Sequence, residues 1–249
     1  MVKGGFATYG AVAGIIMLDS LIPRIAGDPG HAQTFPFPVL HAVAEGLPFS
    51  DLVGGSFEHV GAAIAAAKGL EAQGVSFIAA DCGLFSLFQE RVAKELSIPF
   101  IGSSLRLVPL LASFLPPPRS VGILTGDAGM LSSIHLGPAG VDPARAVIRG
   151  MEAATEFRKV VIERGLELEP DVLRREVGEV AAALAADARG EGRPLGAVVI
   201  ECTNLASFRE EIQDRAGVPV YDLVSLVELY ASGYERRVFS ERFRSFRSG

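Results

Sequence analysis

Short runs of consecutive apolar residues, rich in Val and Ile, alternate along this chain with longer segments whose apolar positions recur at helical spacing. That alternation is the pattern of parallel strands buried on both faces and joined by helices that cover them. It predicts the α/β class. Strands are expected at residues 11–18, 75–80, 99–101, 120–125, 146–148, 196–200 and 218–221. The Ala-rich segment 58–73, which ends at Gly74, and the segment 171–188, which opens on an Asp cap and closes near Gly190, are expected as helices packed on a sheet. Pro116, Pro117 and Pro118 in succession can continue neither a helix nor a central strand, so a domain boundary is expected there. The Gly- and Pro-rich stretch 27–38 reads as a long irregular loop, either a lid over a site or a surface crossover packed by its own Phe side chains.

Composition narrows this picture without changing it. The 249 residues suffice for one or two domains, and 49% apolar with 21% charged residues excludes disordered and low-complexity classes. A net charge of −6 gives no electrostatic reason to bind a polyanion, so no nucleic-acid partner is expected. The uncharged stretch 4–18 is too short to cross a bilayer and runs into Asp19. Residues 12–18 of it read better as a buried strand than as part of a signal peptide, so a cytoplasmic protein without a membrane partner is expected. Two cysteines are too few for a disulfide scaffold, and neither pairs with a His at zinc-binding spacing.

Those two cysteines lie in an internal repeat. Asp81, Cys82, Phe88, Glu90 and Pro99 are matched by Glu201, Cys202, Phe208, Glu210 and Pro219 at a constant shift of 120 residues, without a gap. A weaker echo, at a shift of 108, pairs Gly14 with Gly122 and Asp19 with Asp127. The halves therefore read as copies of one α/β unit: residues 1–115 completed by 218–249, and residues 116–217.

In each copy the cysteine follows an apolar strand and precedes a helix, which places it at the C-terminal edge of a parallel sheet, where open α/β folds bind ligands. Two such halves facing one another share a cleft, with one sulfur from each side. The N–H groups opening the following helix favour thiolate and can hold a substrate carboxylate. Strand alternation is expected to turn Asp81 and Glu201 to the opposite face, away from the sulfurs. Inverting a carbon centre by proton transfer needs a base on one face and an acid on the other. A thiol pair with an ordinary pKa of about 8.5 meets that need after modest tuning.

These motifs resemble those of the aspartate/glutamate racemase superfamily, which also contains hydantoin racemases, maleate isomerase and arylmalonate decarboxylase. The most specific match is Glu201-Cys202-Thr203-Asn204-Leu205, with Asp81-Cys82-Gly83 at the position of the first family cysteine. Asp19-Ser20 is similar to the family's acidic-Ser pair, and Thr125 to the Thr that opens the second domain. The resemblance implies an isomerase: a racemase or epimerase of an amino acid or related carboxylate, using Cys82 and Cys202 as acid and base. It implies that Asp19, Ser20, Gly83, Thr125, Thr203 and Asn204 bind substrate, and that no pyridoxal phosphate, metal or other cofactor is used. Asn204 stands where glutamate racemases carry His, and Gly83-Leu84 where they carry Asn-Thr. The alternatives are maleate-isomerase-like or decarboxylase chemistry on a dicarboxylate through one Cys, and a non-catalytic module that binds a small ligand.

Other signals lead nowhere specific. His31, His41, His59 and His135 share no metal-ligand spacing, and Gly122 and Gly126 lack the Lys-Ser/Thr of a phosphate loop. The tail 234–249 interleaves five Arg with three Phe, and reads as solvated arginines or as a surface that packs on a second subunit of a homo-oligomer.

Overall fold

The structure is a computed structural model that describes residues 4–6 and 9–234. Its eight strands form two four-stranded sheets, and every pairing is parallel. The first contains β1 (Ala13–Leu18), β2 (Val39–Ala44), β3 (Phe77–Ala80) and β4 (Phe100–Ile101). The second contains β5 (Ser120–Thr125), β6 (Ala146–Gly150), β7 (Leu195–Ile200) and β8 (Val220–Tyr221). Their spatial orders, β2-β1-β3-β4 and β6-β5-β7-β8, are the same permutation, so the cysteine repeat reflects a repeat of topology.

The strands form where apolar runs are bounded by turn residues. All of β3 and β5 is buried, and so is β1 up to its last residue. Gly14 and Gly122, matched at the shift of 108, sit at equivalent places in β1 and β5. A Cβ at Gly14 would lie 3.0 Å from a Leu70 methyl, and one at Gly122 would lie 3.0 Å from a Leu184 methyl. Each glycine therefore lets a helix leucine settle directly on the strand backbone. The helices concerned, Val60–Ala72 and Pro170–Gly190, coincide with the two expected segments. In the longer one, Leu173, Val177, Ala181, Leu184 and Ala188 form the buried stripe, at the 3.6-residue period.

One continuous apolar core joins the halves, since Ile16, Ile78 and Phe85 belong to the same cluster as Val121, Ile123 and Val199. A buried hydrogen bond crosses with it, from Ser104 Oγ to the carbonyl of Ile200 at 2.8 Å. The chain returns to the first sheet at its end: Leu223, Val227 and Ala231 of the helix Leu223–Ser232 pack with Ala13, Ile15 and Phe77. That return begins after Tyr221 and not at residue 218, because β8 pairs with β7 in the second sheet. The Arg-rich tail lies outside the described residues apart from Tyr234.

β2 was not expected. It is an edge strand on which only Ala44 is fully buried, so its sequence, Val-Leu-His-Ala-Val-Ala, lacks the continuous apolar signature of the central strands. The expected irregular loop is the connection between β1 and β2. Its Phe35 and Phe37 rings stack with centroids 5.7 Å apart, and Phe35 is buried.

Candidate active site

In a parallel sheet all strands end at one edge, so the residues just past β1, β3, β5 and β7 gather together. From β1 come Asp19 and Ser20, from β3 Asp81 and Cys82, from β5 Gly126 and Asp127 after Thr125, and from β7 Glu201 and Cys202. All of them line one cavity of about 880 Å³, its open mouth included. Thr203 and Asn204 complete the second cysteine's side, while Ile22, Leu47, Phe49, Leu84 and Met130 supply apolar wall. Both sulfurs thus face the same space from different halves, and both cysteines are free thiols.

Gly83 is the one proposed substrate contact that is not part of the cavity wall. Its role in the structure is to make room. A Cβ there would fall 2.3 Å from Oε1 of Glu201 and 2.6 Å from its Cγ, so the Glu201 side chain lies directly against the Gly83 backbone. The other carboxylate oxygen of Glu201 accepts a 2.6 Å hydrogen bond from Thr125 Oγ1. The Thr125 hydroxyl is therefore engaged with protein. So is that of Thr203, which donates to the Asp81 carbonyl at 3.4 Å.

The expectation that Asp81 and Glu201 turn away is corrected: both are buried and both line the cavity. Alternation assigns residues to the faces of a sheet, but this cavity sits beyond the sheet edge, where residues that leave a strand on either face can reach it. Burial raises the Glu201 carboxyl to about 7, against the pull of the Thr125 hydrogen bond. Asp81 is also raised, to about 7, first by burial and then by the nearby Asp28, with Arg24 opposing.

These acids change the thiol electrostatics. Burial pushes the Cys82 thiol well above its ordinary value, and the Glu201 carboxylate adds to that; the Leu84 backbone N–H opposes it. Cys202 is raised by the same two causes, with the Asn204 N–H opposing. The expected preference for thiolate is thus overturned in this unliganded cavity. Backbone donors are present, but they open the short 3₁₀ turns Gly83–Phe88 and Thr203–Phe208, and not long α-helices. Desolvation and a neighbouring carboxylate outweigh them.

Sequence reasoning offered part of the β1–β2 loop, 27–38, as a lid or a surface crossover but did not single out Arg24 and Asp28. Arg24 Nη1 bridges Asp28 Oδ1 at 2.7 Å and Asp81 Oδ2 at 2.8 Å. The second Asp28 oxygen accepts from Asn204 Nδ2 at 3.1 Å, and Asn204 Oδ1 lies 3.8 Å from the Cys202 sulfur. A polar chain therefore runs from the first half to the second cysteine. The loop is pressed onto the Cys202 side: Gly27, at φ +102°, leaves no room for a Cβ, which would lie 2.7 Å from Ser207 Cα. The available signal was an Arg and an Asp four residues apart in a loop that begins at a strand's C-terminal end. The segment that bears Val161, Ile162 and Arg164 was also missed; it reaches the cavity through a π-helical turn, Arg158–Ile162, and a left-handed residue at Arg164, φ 58°.

Among the described residues no cluster of His, Cys, Asp and Glu is arranged to hold a metal ion. Among them, too, no helix is long and apolar enough to cross a membrane.

Comparison with known proteins places this geometry. The sequence profile of the Asp/Glu/hydantoin racemase family matches residues 37–227. The chain is similar to the dimethylsulfoniopropionate lyase of Durusdinium sp. clade D, with 27% identity over 237 residues that cover 90% of this chain and 75% of that one. It is also similar to dimethylsulfoniopropionate lyase 7 of Emiliania huxleyi, with 27% identity over 219 residues, 85% of this chain and 64% of its relative. The chain therefore spans less than two thirds of that second lyase's length. Among solved structures, an allantoin racemase from Klebsiella pneumoniae superposes with a TM-score of 0.58 at 17% identity, over 94% of this chain and 98% of the other, a likeness of fold. With a matching profile over most of its length and the same duplicated parallel-sheet architecture, the chain belongs to the Asp/Glu/hydantoin racemase family.

Proposed function

We propose that this chain removes the proton α to the carboxylate of a small zwitterionic substrate with a cysteine thiolate, and that the reaction is β-elimination of a sulfonium group of the dimethylsulfoniopropionate type. The observation that carries the reading is the meeting of Cys82 and Cys202 on one cavity whose remaining charged wall is mainly acidic. Similarity to two dimethylsulfoniopropionate lyases supports the choice of leaving group.

The steps follow from the groups present. Backbone N–H groups at the start of the 3₁₀ turns, among them those of Leu84 and Asn204, hold the substrate carboxylate and the negative charge that develops beside it. Asp81 and Glu201 face the cationic end. One thiolate takes the α-proton, the C–H pair becomes the new C=C bond, and the C–S bond breaks toward sulfur. A neutral sulfide and an unsaturated carboxylate leave, and the proton passes from the thiol to solvent.

A second reading is racemisation of an amino acid or related carboxylate, with one thiol as base and the other as acid. It draws on the presence of two cysteines, since elimination needs a single base. One experiment separates the two: the purified chain is given dimethylsulfoniopropionate and, in parallel, a panel of enantiopure amino acids and hydantoins. Release of dimethyl sulfide with acrylate supports elimination, and loss of optical rotation supports racemisation. Cys82→Ala or Cys202→Ala, whichever removes the base, should lower kcat by about 10²-fold or more, and under racemisation both should. Full turnover in both variants would sink the thiol mechanism.

A further inference from the structure

We infer that Asp28 is a positioning residue that turns the Asn204 carboxamide so that its oxygen faces the Cys202 sulfur, and so holds Cys202 as the protonated thiol. The inference rests on the proposed role of the cysteines as proton-transfer groups and adds how one of them keeps its proton at rest.

A carboxamide has a donor end and an acceptor end, and the partner taken by one end dictates what the other offers. Asp28 settles that choice here. It is buried, and three donors converge on its carboxylate: Oδ1 accepts from Arg24 Nη1 and from the Gly30 backbone N–H, each at 2.7 Å, and Oδ2 accepts from Asn204 Nδ2 at 3.1 Å. An acceptor-only group thus claims the Asn204 nitrogen. The oxygen is left for Cys202, whose S–H donates to it across 3.8 Å. An oxygen in that place accepts the thiol's proton and repels the lone pairs of a thiolate. A nitrogen there would do the reverse.

The loop that bears Asp28 is held against the half that carries Cys202. Ile25 packs on that half's core, its carbonyl accepts from Ser207 Oγ at 3.3 Å, and Thr34 Oγ1 donates to the Asp28 carbonyl at 2.5 Å. Asp28 therefore meets Asn204 from a fixed direction. The other charged and titratable groups about Cys202 are Glu201 beside it in the chain, Asp81 and Cys82 after β3, and Arg24 with Asp28 from the loop; the rest of the cavity wall adds Asp19, Asp127 and Arg164. After β5 comes the uncharged Gly126, where a Cβ would lie 3.5 Å from the sulfur. Among the described residues, the Asn204 carboxamide is the one side chain hydrogen-bonded to the Cys202 sulfur. Burial and Glu201 act in the same sense as its oxygen, and the Asn204 backbone N–H opposes them.

The test is the alkylation of each cysteine by iodoacetamide as a function of pH in the full chain, followed by mass spectrometry. In Asp28→Asn the Arg24 and Gly30 donors keep the new amide oxygen, so the new amide nitrogen faces Asn204. Asn204 must then give its oxygen to that nitrogen and turn its own nitrogen to Cys202. Alkylation of Cys202 at pH 8 should rise about threefold or more for each unit by which its pKa falls. A Cys202 profile that superimposes on wild type overturns the inference. Removing the Asp28 charge also eases ionisation, so the same substitution is made in an Asn204→Ala background. There the rise should be largely lost; a rise that persists in full means that charge acts and not amide orientation, which overturns the inference. Where Asp28→Asn fails to fold, Asn204→Ala alone decides: it removes the acceptor, so alkylation of Cys202 should rise, and an unmoved profile overturns the inference. Alkylation needs no substrate, so a wrong choice of reaction leaves this readout intact.

Discussion

Gly83 shows how much one atom decides in this cavity. A methyl group there meets Glu201 at Oε1, Cδ and Cγ together, and Cγ is too close to its own backbone to swing aside cheaply. Gly83→Ala must therefore displace the carboxylate from its Thr125 donor or shift the loop after Cys82. Overpacking of this kind costs about 1–3 kcal/mol. A fall in kcat of about tenfold or more should accompany a lower melting temperature, and an unchanged kcat would show that the position of Glu201 is immaterial to turnover. The cysteines themselves were legible in the sequence, because a strand-then-Cys pattern repeats at a constant interval. The acids before them were equally visible, but two-residue alternation put them on the wrong side. Asp81 and Glu201 stand where strand geometry stops applying, and no periodicity rule reaches past a strand end. Arg24 and Asp28 were hidden for a related reason: their partners, Asp81 and Asn204, are distant in sequence and are met only once the loop folds back.

At the scale of elements, each half depends on one leucine lodged over one glycine. Leu70 and Leu184 are both fully buried, and each touches the strand backbone at the matched Gly14 or Gly122. Truncating either to Ala removes several methyl groups and leaves a cavity between helix and sheet, at a cost of about 2–5 kcal/mol. Urea denaturation should show comparable losses for Leu70→Ala and Leu184→Ala, because the two contacts are copies. A loss confined to one of them would mean that the halves are not energetically equivalent. Central strands and long helices were readable here because burial on both faces, or on one clean stripe, writes itself into residue order. The edge strand β2 was not, since it exposes much of what it carries and follows directly on an irregular loop. The 3₁₀ turns after the cysteines were expected as helices for want of a sequence signal that separates the two over six residues.

For the molecule as a whole, the cavity is a place where folding works against solvation. An unfolded glutamate titrates near its ordinary value of 4.5, whereas burial raises Glu201 to about 7 in the folded chain. A raised carboxyl binds its proton more tightly folded than unfolded. Its contribution to stability is therefore complete below pH 4.5 and is lost as the pH climbs through about 7. Over that window the loss amounts to about 3.5 kcal/mol at most, since each pKa unit corresponds to roughly 1.4 kcal/mol. Glu201→Gln cannot ionise, and its amide oxygen can still accept from Thr125, so the variant escapes the penalty. Urea unfolding at pH 5 and pH 8 checks this: the variant should gain stability over wild type at pH 8, and the gap should shrink at pH 5. A gap that is the same at both pH values would mean that the Glu201 carboxyl titrates in the folded chain as it does in the unfolded one. The sign matters for function as well as for stability. The destabilisation from Glu201 is greatest above about pH 7, where the ionised carboxylate also opposes thiolate formation on both cysteines.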